Sequence, residues 1–285
     1  MPSRLQVCLL AALLCATPVH AQQLELHFLD VGQGDAALLI TPEHRTMLVD
    51  AGRNGVVTAQ YLRSLGVDTV DLLVVSHNHD DHMGGVPEVL AEFPVRNYMD
   101  NGVPSARSYS LYEWLVREGG ARYLEATSRT ITLGSVRIRV LPPPDERLRL
   151  SRAEQNNRSV GLIIQYGSFR ALLTGDSQRE ELRYWLAVDS VPQVHVLKVA
   201  HHGARNGTTP AWIARTDPGL VVISVGRNGY GHPAREVVAA WCSAGAMVLR
   251  TDWSGSITVR ADSTGALTVE TANGAPTNTP PADAC

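Results

Sequence analysis

The sequence nearly dispenses with lysine. Lys198 is the only lysine among 25 basic residues; the others are arginines. There is also no excess of positive charge. The formal net charge is −3 and the isoelectric point about 6.4, which excludes a global basic field that would capture nucleic acid along its length. Beyond residue 21 no apolar run approaches the roughly 20 residues needed to span a bilayer. Cysteine is scarce. The four residues, Cys8, Cys15, Cys242 and Cys285, have no metal-site spacing. No internal repeat is visible. What remains, 44% hydrophobic and 19% charged, fits a globular protein with a sizeable core.

Residues 1–21 read as a secretory signal peptide. Arg4 supplies the positive start, Val7 to Ala16 the apolar stretch, and Val19-His20-Ala21 a small-residue cleavage site that leaves Gln22 first. The stretch is short for a membrane anchor, and Leu14 before Cys15 is bulky where lipid attachment needs a small residue. An exported, periplasmic or extracellular location is therefore expected. Such a compartment permits disulfides, so Cys242 and Cys285 either pair or stay as separate thiols.

Strand-like and helix-like segments alternate. Strands are expected at Leu24–Leu29, Ala36–Ile40, Thr46–Val49 and Val70–Val75, and helices at Val57–Leu65 and Val86–Phe93. A second series follows, with strands at Val136–Leu141, Val160–Tyr166, Phe169–Leu173, Val194–Val199, Leu220–Val225, Met247–Arg250, Ser256–Arg260 and Leu267–Thr271. Helices are expected there at Gln178–Leu186 and Ala234–Trp241. The Pro-, Thr- and Asn-rich tail from Ala272 has the composition of a disordered segment. One domain over 22–271 follows, an α/β fold in which two mixed sheets pack together with helices outside, an αββα sandwich.

The densest chemistry follows the apolar segment Leu72–Val75. Ser76-His77-Asn78-His79-Asp80-Asp81-His82 places three imidazoles and two carboxylates within six residues, as H-x-H-x-D-H. Neutral imidazoles and carboxylates are the ligands preferred by zinc and similar divalent ions. Four further clusters adjoin predicted elements: Thr174-Gly175-Asp176, Lys198-Val199-Ala200-His201-His202-Gly203, Gly229-Tyr230-Gly231-His232-Pro233, and Glu154-Gln155-Asn156-Asn157-Arg158-Ser159. A lone Asp or His at a strand end is more often a cap or a surface residue. Five such clusters in one chain are harder to dismiss.

These motifs resemble the metallo-β-lactamase fold superfamily. Together with Phe28-Leu29-Asp30-Val31-Gly32-Gln33-Gly34-Asp35-Ala36 they are similar to the hydrolase domain of ComEC/Rec2-type DNA-uptake proteins, across residues 28 to 233. The resemblance implies two divalent ions, with zinc and manganese both suited to the ligands. His77 and His79 would hold one. Asp81, His82 and His232 would hold the other, and Asp176 would bridge them. A hydroxide between the metals would be the nucleophile, oriented by Asp81. His201 and His202 would lie beside the substrate to stabilise an oxyanion or protonate the leaving oxygen. Asn156, Asn157 and Arg158 would face the substrate, and Asn156-Asn157 stands where many superfamily members carry a histidine ligand. No apolar region for a translocation channel accompanies these motifs, so transport is not carried over.

The implied activity is phosphodiester hydrolysis, on nucleic acid or a small phosphodiester. Arg147, Arg149, Arg152, Arg158, Arg205 and Arg227 supply forks suited to phosphate, although an arginine-rich composition alone would also put arginines there. The fold also hosts hydrolysis of β-lactams, lactones and thioesters, and fold alone does not choose. A metal-binding protein without catalysis is the remaining alternative.

Overall fold

The computed structural model describes residues 23–103, 105–144, 155–188 and 191–274. The expected signal peptide, the tail beyond Gly274, Cys285 with its pairing to Cys242, and Arg147, Arg149 and Arg152 lie outside the described residues. Among the described residues, no helix is long and apolar enough to cross a membrane.

The first half runs β1 (Leu24–Phe28), β2 (Ala37–Ile40), β3 (Thr46–Val49), α1 (Gly55–Ser64), β4 (Leu72–Val74), α2 (Asp80–Met83), α3 (Val86–Leu90), β5 (Asn97–Met99), α4 (Ala106–Tyr112) and β6 (Arg122–Tyr123). The second runs β7 (Thr130–Leu133), β8 (Val136–Leu141), β9 (Gly161–Tyr166), β10 (Phe169–Leu173), α5 (Arg179–Ala187), β11 (Val196–Lys198), α6 (Pro210–Thr216), β12 (Leu220–Ile223), α7 (Arg235–Ser243) and β13 (Met247–Arg250). The short α8 (Thr251–Ser254), β14 (Ile257–Ala261) and β15 (Leu267–Thr271) complete the chain.

Two mixed sheets result, ordered β15-β14-β1-β2-β3-β4-β5-β6 and β13-β12-β11-β10-β9-β8-β7. The period-2 alternation of strands explains the layering. In β2, β3 and β4 the residues Leu39, Met47, Leu72 and Val74 face the core between the sheets, where they meet Leu162, Ile164 and Leu173. Their neighbours Leu38, Leu48 and Leu73 face outward onto Ala59 and Leu62 of α1 and Val86 of α3. Leu172, Leu197 and Val221 of the second sheet face outward in the same way, onto Leu182, Trp185, Trp212 and Trp241. Both faces of these central strands are buried, so they read as unbroken apolar runs. Truncating one such residue, Leu73→Ala for example, costs about 2–5 kcal/mol.

Helix starts follow local capping. Asn54 Oδ1 accepts from Val56 N at 3.0 Å to open α1, and Thr209 Oγ1 accepts from Trp212 N at 3.2 Å to open α6 at Pro210. The αββα sandwich is as expected, and most strand ends agree within two residues. The histidine cluster divides: His77 and His79 lie on the loop after β4, whereas Asp81 and His82 belong to the single turn α2. That turn swings Asp81 and His82 back over the strand end.

Candidate metal centre

The clustered residues emerge from strand ends on one edge of the sandwich, where open α/β sheets place their ligand sites. Asp50 follows β3, and His77 to His82 follow β4. Asp176 follows β10, and His201 and His202 follow β11. Two glycines permit the approach of neighbouring loops. A side chain at Gly34 would meet the Asp81 carbonyl oxygen at 2.3 Å, and one at Gly175 would meet Ser159 Oγ and Ser76 Cβ at 2.9 Å. Through Gly34 the β1–β2 loop reaches α2, and Asp35 N donates to Asp81 O at 3.0 Å.

Four overlapping groups of three potential ligands form among the described residues; Asp35 takes part in two of them, with Asp50 and His82 and with Asp176 and His202, and the other two lack it. His77, His79 and Asp176 make one; Asp81, His82 and His202 make the other. Within each, the ligand atoms lie within 4.8 Å of one another. Asp176 also faces the second group, and its two oxygens divide the work. Oδ2 lies 3.9 Å from His77 Nε2, while Oδ1 lies 3.3 Å from His82 Nε2 and 3.5 Å from His202 Nε2. His202 Nε2 is 3.4 Å from Asp81 Oδ2.

A second layer aims these atoms. His82 Nδ1 donates to Asp50 Oδ2 at 2.8 Å, and Asp50 also accepts from Ser76 N and Ser76 Oγ, each at 2.7 Å. His202 Nδ1 donates to the Ser224 carbonyl at 2.9 Å. Asp176 N donates to Ser159 Oγ at 3.1 Å. The Asp50 and Ser224 bonds each fix one ring nitrogen and leave the other pointing inward, the usual support for a metal-ligating histidine. His201 and His202 both adopt left-handed backbone, with φ of 51°. Such a conformation costs roughly 1–2 kcal/mol per residue and tends to be kept at functional sites. Here it is held by His201 N donating to Gly175 O and by the Ser224 bond.

The donor set fits cations. His82 Nε2, His202 Nε2 and Asp176 Oδ1 are buried without a hydrogen-bond partner, and they converge. Asp35, Asp50 and Asp176 are buried, with Asp81 beside them. Against these carboxylates the described residues set one buried ammonium, that of Lys198, which pairs with Asp35 and donates to Gly175 O at 2.9 Å. This shortfall of positive charge shows in the proton equilibria. Burial opposes charging His82, yet Asp176, Asp50 and Asp35 push it up to about 10. His202 is also raised against its burial, by Asp176 and Asp35. Burial and the neighbouring His82 hold His77 well below the usual histidine range. Asp176 is held low by His202 and His82, although burial alone would raise it. The same carboxylates that draw protons onto His82 and His202 would favour a divalent cation in their place.

The centre opens into a cavity of about 460 Å³, lined on its protein side by His79, Asp81, Asp176, His201, His202 and His232, with Asn156 and Tyr230. His232 joins none of these three-residue groups; its ring packs 5.4 Å from that of His201. His202, which the sequence placed beside the substrate, stands next to Asp81 and His82 in a group that could hold an ion. His201 does face the cavity, with Nε2 3.9 Å from Asp176 Oδ2 and 3.3 Å from Asn156 Nδ2.

Asn156 and Asn157 part company. Asn156 reaches the cavity, but Asn157 is fully buried and caps α5, its Oδ1 accepting from Gln178 N at 3.1 Å and Glu181 N at 3.3 Å. Asn157 is therefore a helix cap and not a substrate contact. Arg158 does not line the cavity; its carbonyl accepts from Asn101 Nδ2 at 3.0 Å. Arg205 is spent on a surface pair with Glu236, and Arg227 is exposed. The arginine that does line the cavity is Arg53, which sequence reasoning missed. It follows the Asp50-Ala51-Gly52 turn at a strand end, and that position was the available signal. Lys198, the lone lysine that opens the Lys198–Gly203 motif, is buried beside Asp35.

The metallo-beta-lactamase superfamily domain matches residues 29–227. ComE operon protein 3 of Bacillus subtilis (strain 168) is 27% identical over 275 residues, covering 88% of this chain and 34% of its own length. Endoribonuclease ysh-1 of Neurospora crassa is 28% identical over 194 residues, covering 57% of this chain and 22% of its own. Among solved structures, the CmlA beta-hydroxylase E377D mutant gives a TM-score of 0.54 at 16% identity, over 83% of this chain and 54% of that one. That likeness concerns the fold alone. The chain spans about a third of the length of ComE operon protein 3. Strand-end clusters, paired mixed sheets and a domain match over most of the described residues lead to one assignment: this chain belongs to the metallo-beta-lactamase superfamily and resembles its ComEC-type members.

Proposed function

We propose that this metal-dependent hydrolase is a two-metal phosphodiesterase acting on nucleic acid or a smaller phosphodiester. The observation that carries the reading is Asp176, whose two oxygens face two separate groups of ligands on the floor of one cavity. His77 and His79 would hold one divalent ion; Asp81, His82 and His202 would hold the other. Zinc and manganese both suit these donors. When bound, such a pair supplies Lewis-acid polarisation of a phosphoryl oxygen and a water of lowered pKa.

The chain's own residues supply the rest. Asp50 and Ser224 hold His82 and His202 in orientation. His201, kept low by burial, carries a neutral imidazole at the cavity wall, where Nδ1 meets Asn206 Oδ1 at 3.0 Å and Nε2 faces the cavity. With its proton on Nδ1, the ring presents a bare Nε2 that can accept a proton from a water at the cavity wall. Asn156 offers an amide to a non-bridging phosphate oxygen, and Arg53 at the rim offers a guanidinium. The relation to an endoribonuclease supports phosphodiester chemistry over other bonds cleaved on this fold. The leader-like residues 1–21 support action outside the cytoplasm, with Gln22 as the expected first residue of the exported protein on N-terminal sequencing.

The test compares the purified protein with Asp81→Ala and His202→Ala on bis-p-nitrophenyl phosphate, DNA and nitrocefin, alongside bound-metal analysis. Phosphodiester cleavage by the parent, lost in both variants, is the expected result. Nitrocefin turnover without phosphodiester cleavage would overturn the reading. Bound metal with no turnover of any substrate would instead favour a non-catalytic metal protein.

A further inference from the structure

Tyr230 is 70% exposed, more than any other large hydrophobic side chain among the described residues. Its loop is nevertheless built to hold it still. Asn228 Nδ2 donates to Gly226 O and His232 O, both at 2.8 Å, while its Oδ1 accepts from Tyr230 N at 3.0 Å and His232 N at 3.1 Å. Gly231 makes the turn at φ +77°, a left-handed conformation that suits glycine. At the loop's base, a side chain on Gly226 would meet the Gly32 carbonyl carbon at 2.3 Å, so the loop is seated directly on the β1–β2 loop.

The ring therefore has a fixed place. One side lies against His232, with centroids 5.9 Å apart and planes 25° apart; His232 in turn packs on His201 beside Asp176. Tyr230 thus ends a row of rings that leads from solvent to the metal centre, and it lines the same cavity as Arg53. A ring left 70% exposed gains little from folding, while four hydrogen bonds organise its loop. A flat aromatic face on a cavity that also holds a guanidinium and the proposed phosphodiester-cleaving centre is a combination suited to single-stranded nucleic acid, where unstacked bases are free to lie on a ring. A duplex keeps its bases inside, and an alkyl phosphodiester has no flat face to offer.

We propose that Tyr230 is a base-stacking platform and that the substrate is single-stranded nucleic acid. This rests on the phosphodiesterase reading and narrows it. With an acidic isoelectric point of about 6.4, affinity comes from stacking near the centre more than from tracking the backbone, so its salt dependence is shallow.

The test uses a short oligothymidylate and an abasic oligomer of equal length, which has the same phosphates and no bases. Tyr230→Ala should raise KM for oligothymidylate about tenfold, given the usual strength of base–aromatic stacking, with kcat and turnover of the abasic oligomer unchanged. Tyr230→Trp should restore KM, and its added fluorescence should be quenched by oligothymidylate but not by the abasic oligomer. An unchanged KM in Tyr230→Ala, or equal loss on both oligomers, overturns the proposal while leaving the phosphodiesterase reading intact. If the parent cleaves no phosphodiester, that reading fails, and the quenching experiment alone decides whether Tyr230 stacks on bases.

Discussion

The two halves of the sandwich repeat one topology and use it differently. In the first, β1, β2 and β3 run antiparallel and β4, β5 and β6 follow in parallel; in the second, β8, β9 and β10 run antiparallel and β11, β12 and β13 follow in parallel. The first half concentrates His77, His79, Asp81 and His82 after a single strand, with α2 folding the last two back toward the first two. The second half spreads its groups over separate loops: Asp176 after β10, His201 and His202 after β11, and Tyr230 and His232 after β12. Concentration yields a ligand cluster whose geometry is largely local. Dispersal yields a wall whose parts meet only when the parallel strands pair, and that wall supplies half of the residues lining the cavity.

Asp176 is where this division is most easily broken, because its two oxygens face both ligand groups. Asp176→Ala should abolish tight binding of both metals and reduce hydrolysis to background, as read by metal analysis and bis-p-nitrophenyl phosphate turnover. Retention of either metal at parental affinity would show that the halves are not joined through this carboxylate. Next in size is Lys198→Met. Removing the ammonium takes the nearest partner from the buried Asp35 carboxylate and leaves it only His202 and His82, at 3.4 and 3.7 Å, which should destabilise the fold by about 3–5 kcal/mol and lower the denaturant midpoint. An unchanged midpoint would mean that Asp35 finds its compensation elsewhere. Asp50→Asn sharpens the comparison from the first half. It weakens the bond that orients His82, so metal affinity should fall roughly 10- to 100-fold while the number of ions bound at saturation stays the same. At the small end, Arg205→Ala removes an exposed pair with Glu236 at the surface of the second half. It should leave both thermal midpoint and turnover unchanged; a loss of turnover would bring Arg205 into the substrate path.

The same contrast explains what could be read from the chain. The H-x-H-x-D-H run is legible because its members are sequence neighbours, and the strands around it are legible because both their faces are apolar. Asp176, His201, His202 and His232 could be flagged one by one as strand-end groups, but not ranked. Whether His202 or His232 stands beside Asp81 depends on how the loops after β11 and β12 fold across one another, and the left-handed backbone of His201 and His202 turns those two rings in a way that periodicity does not encode. Asn157 looked like a partner of Asn156, yet a step of one residue in a tight helical turn sends one amide to the cavity and the other to the start of α5. Edge elements were missed for a related reason. In β7 only every second residue is even partly buried, and α6 is a short helix opened by a proline, so neither leaves a strong pattern. Asp35 and Lys198, which set the charge balance, lie far apart in the chain and meet only through tertiary structure.

The most direct test of a two-metal centre assembled from both halves is the metal-to-protein ratio, measured by plasma mass spectrometry on the parent, His79→Ala, His202→Ala and His232→Ala. The account predicts two ions in the parent, one in His79→Ala, one in His202→Ala and two in His232→Ala. A single ion in the parent, or loss of an ion in His232→Ala with none lost in His202→Ala, would contradict it.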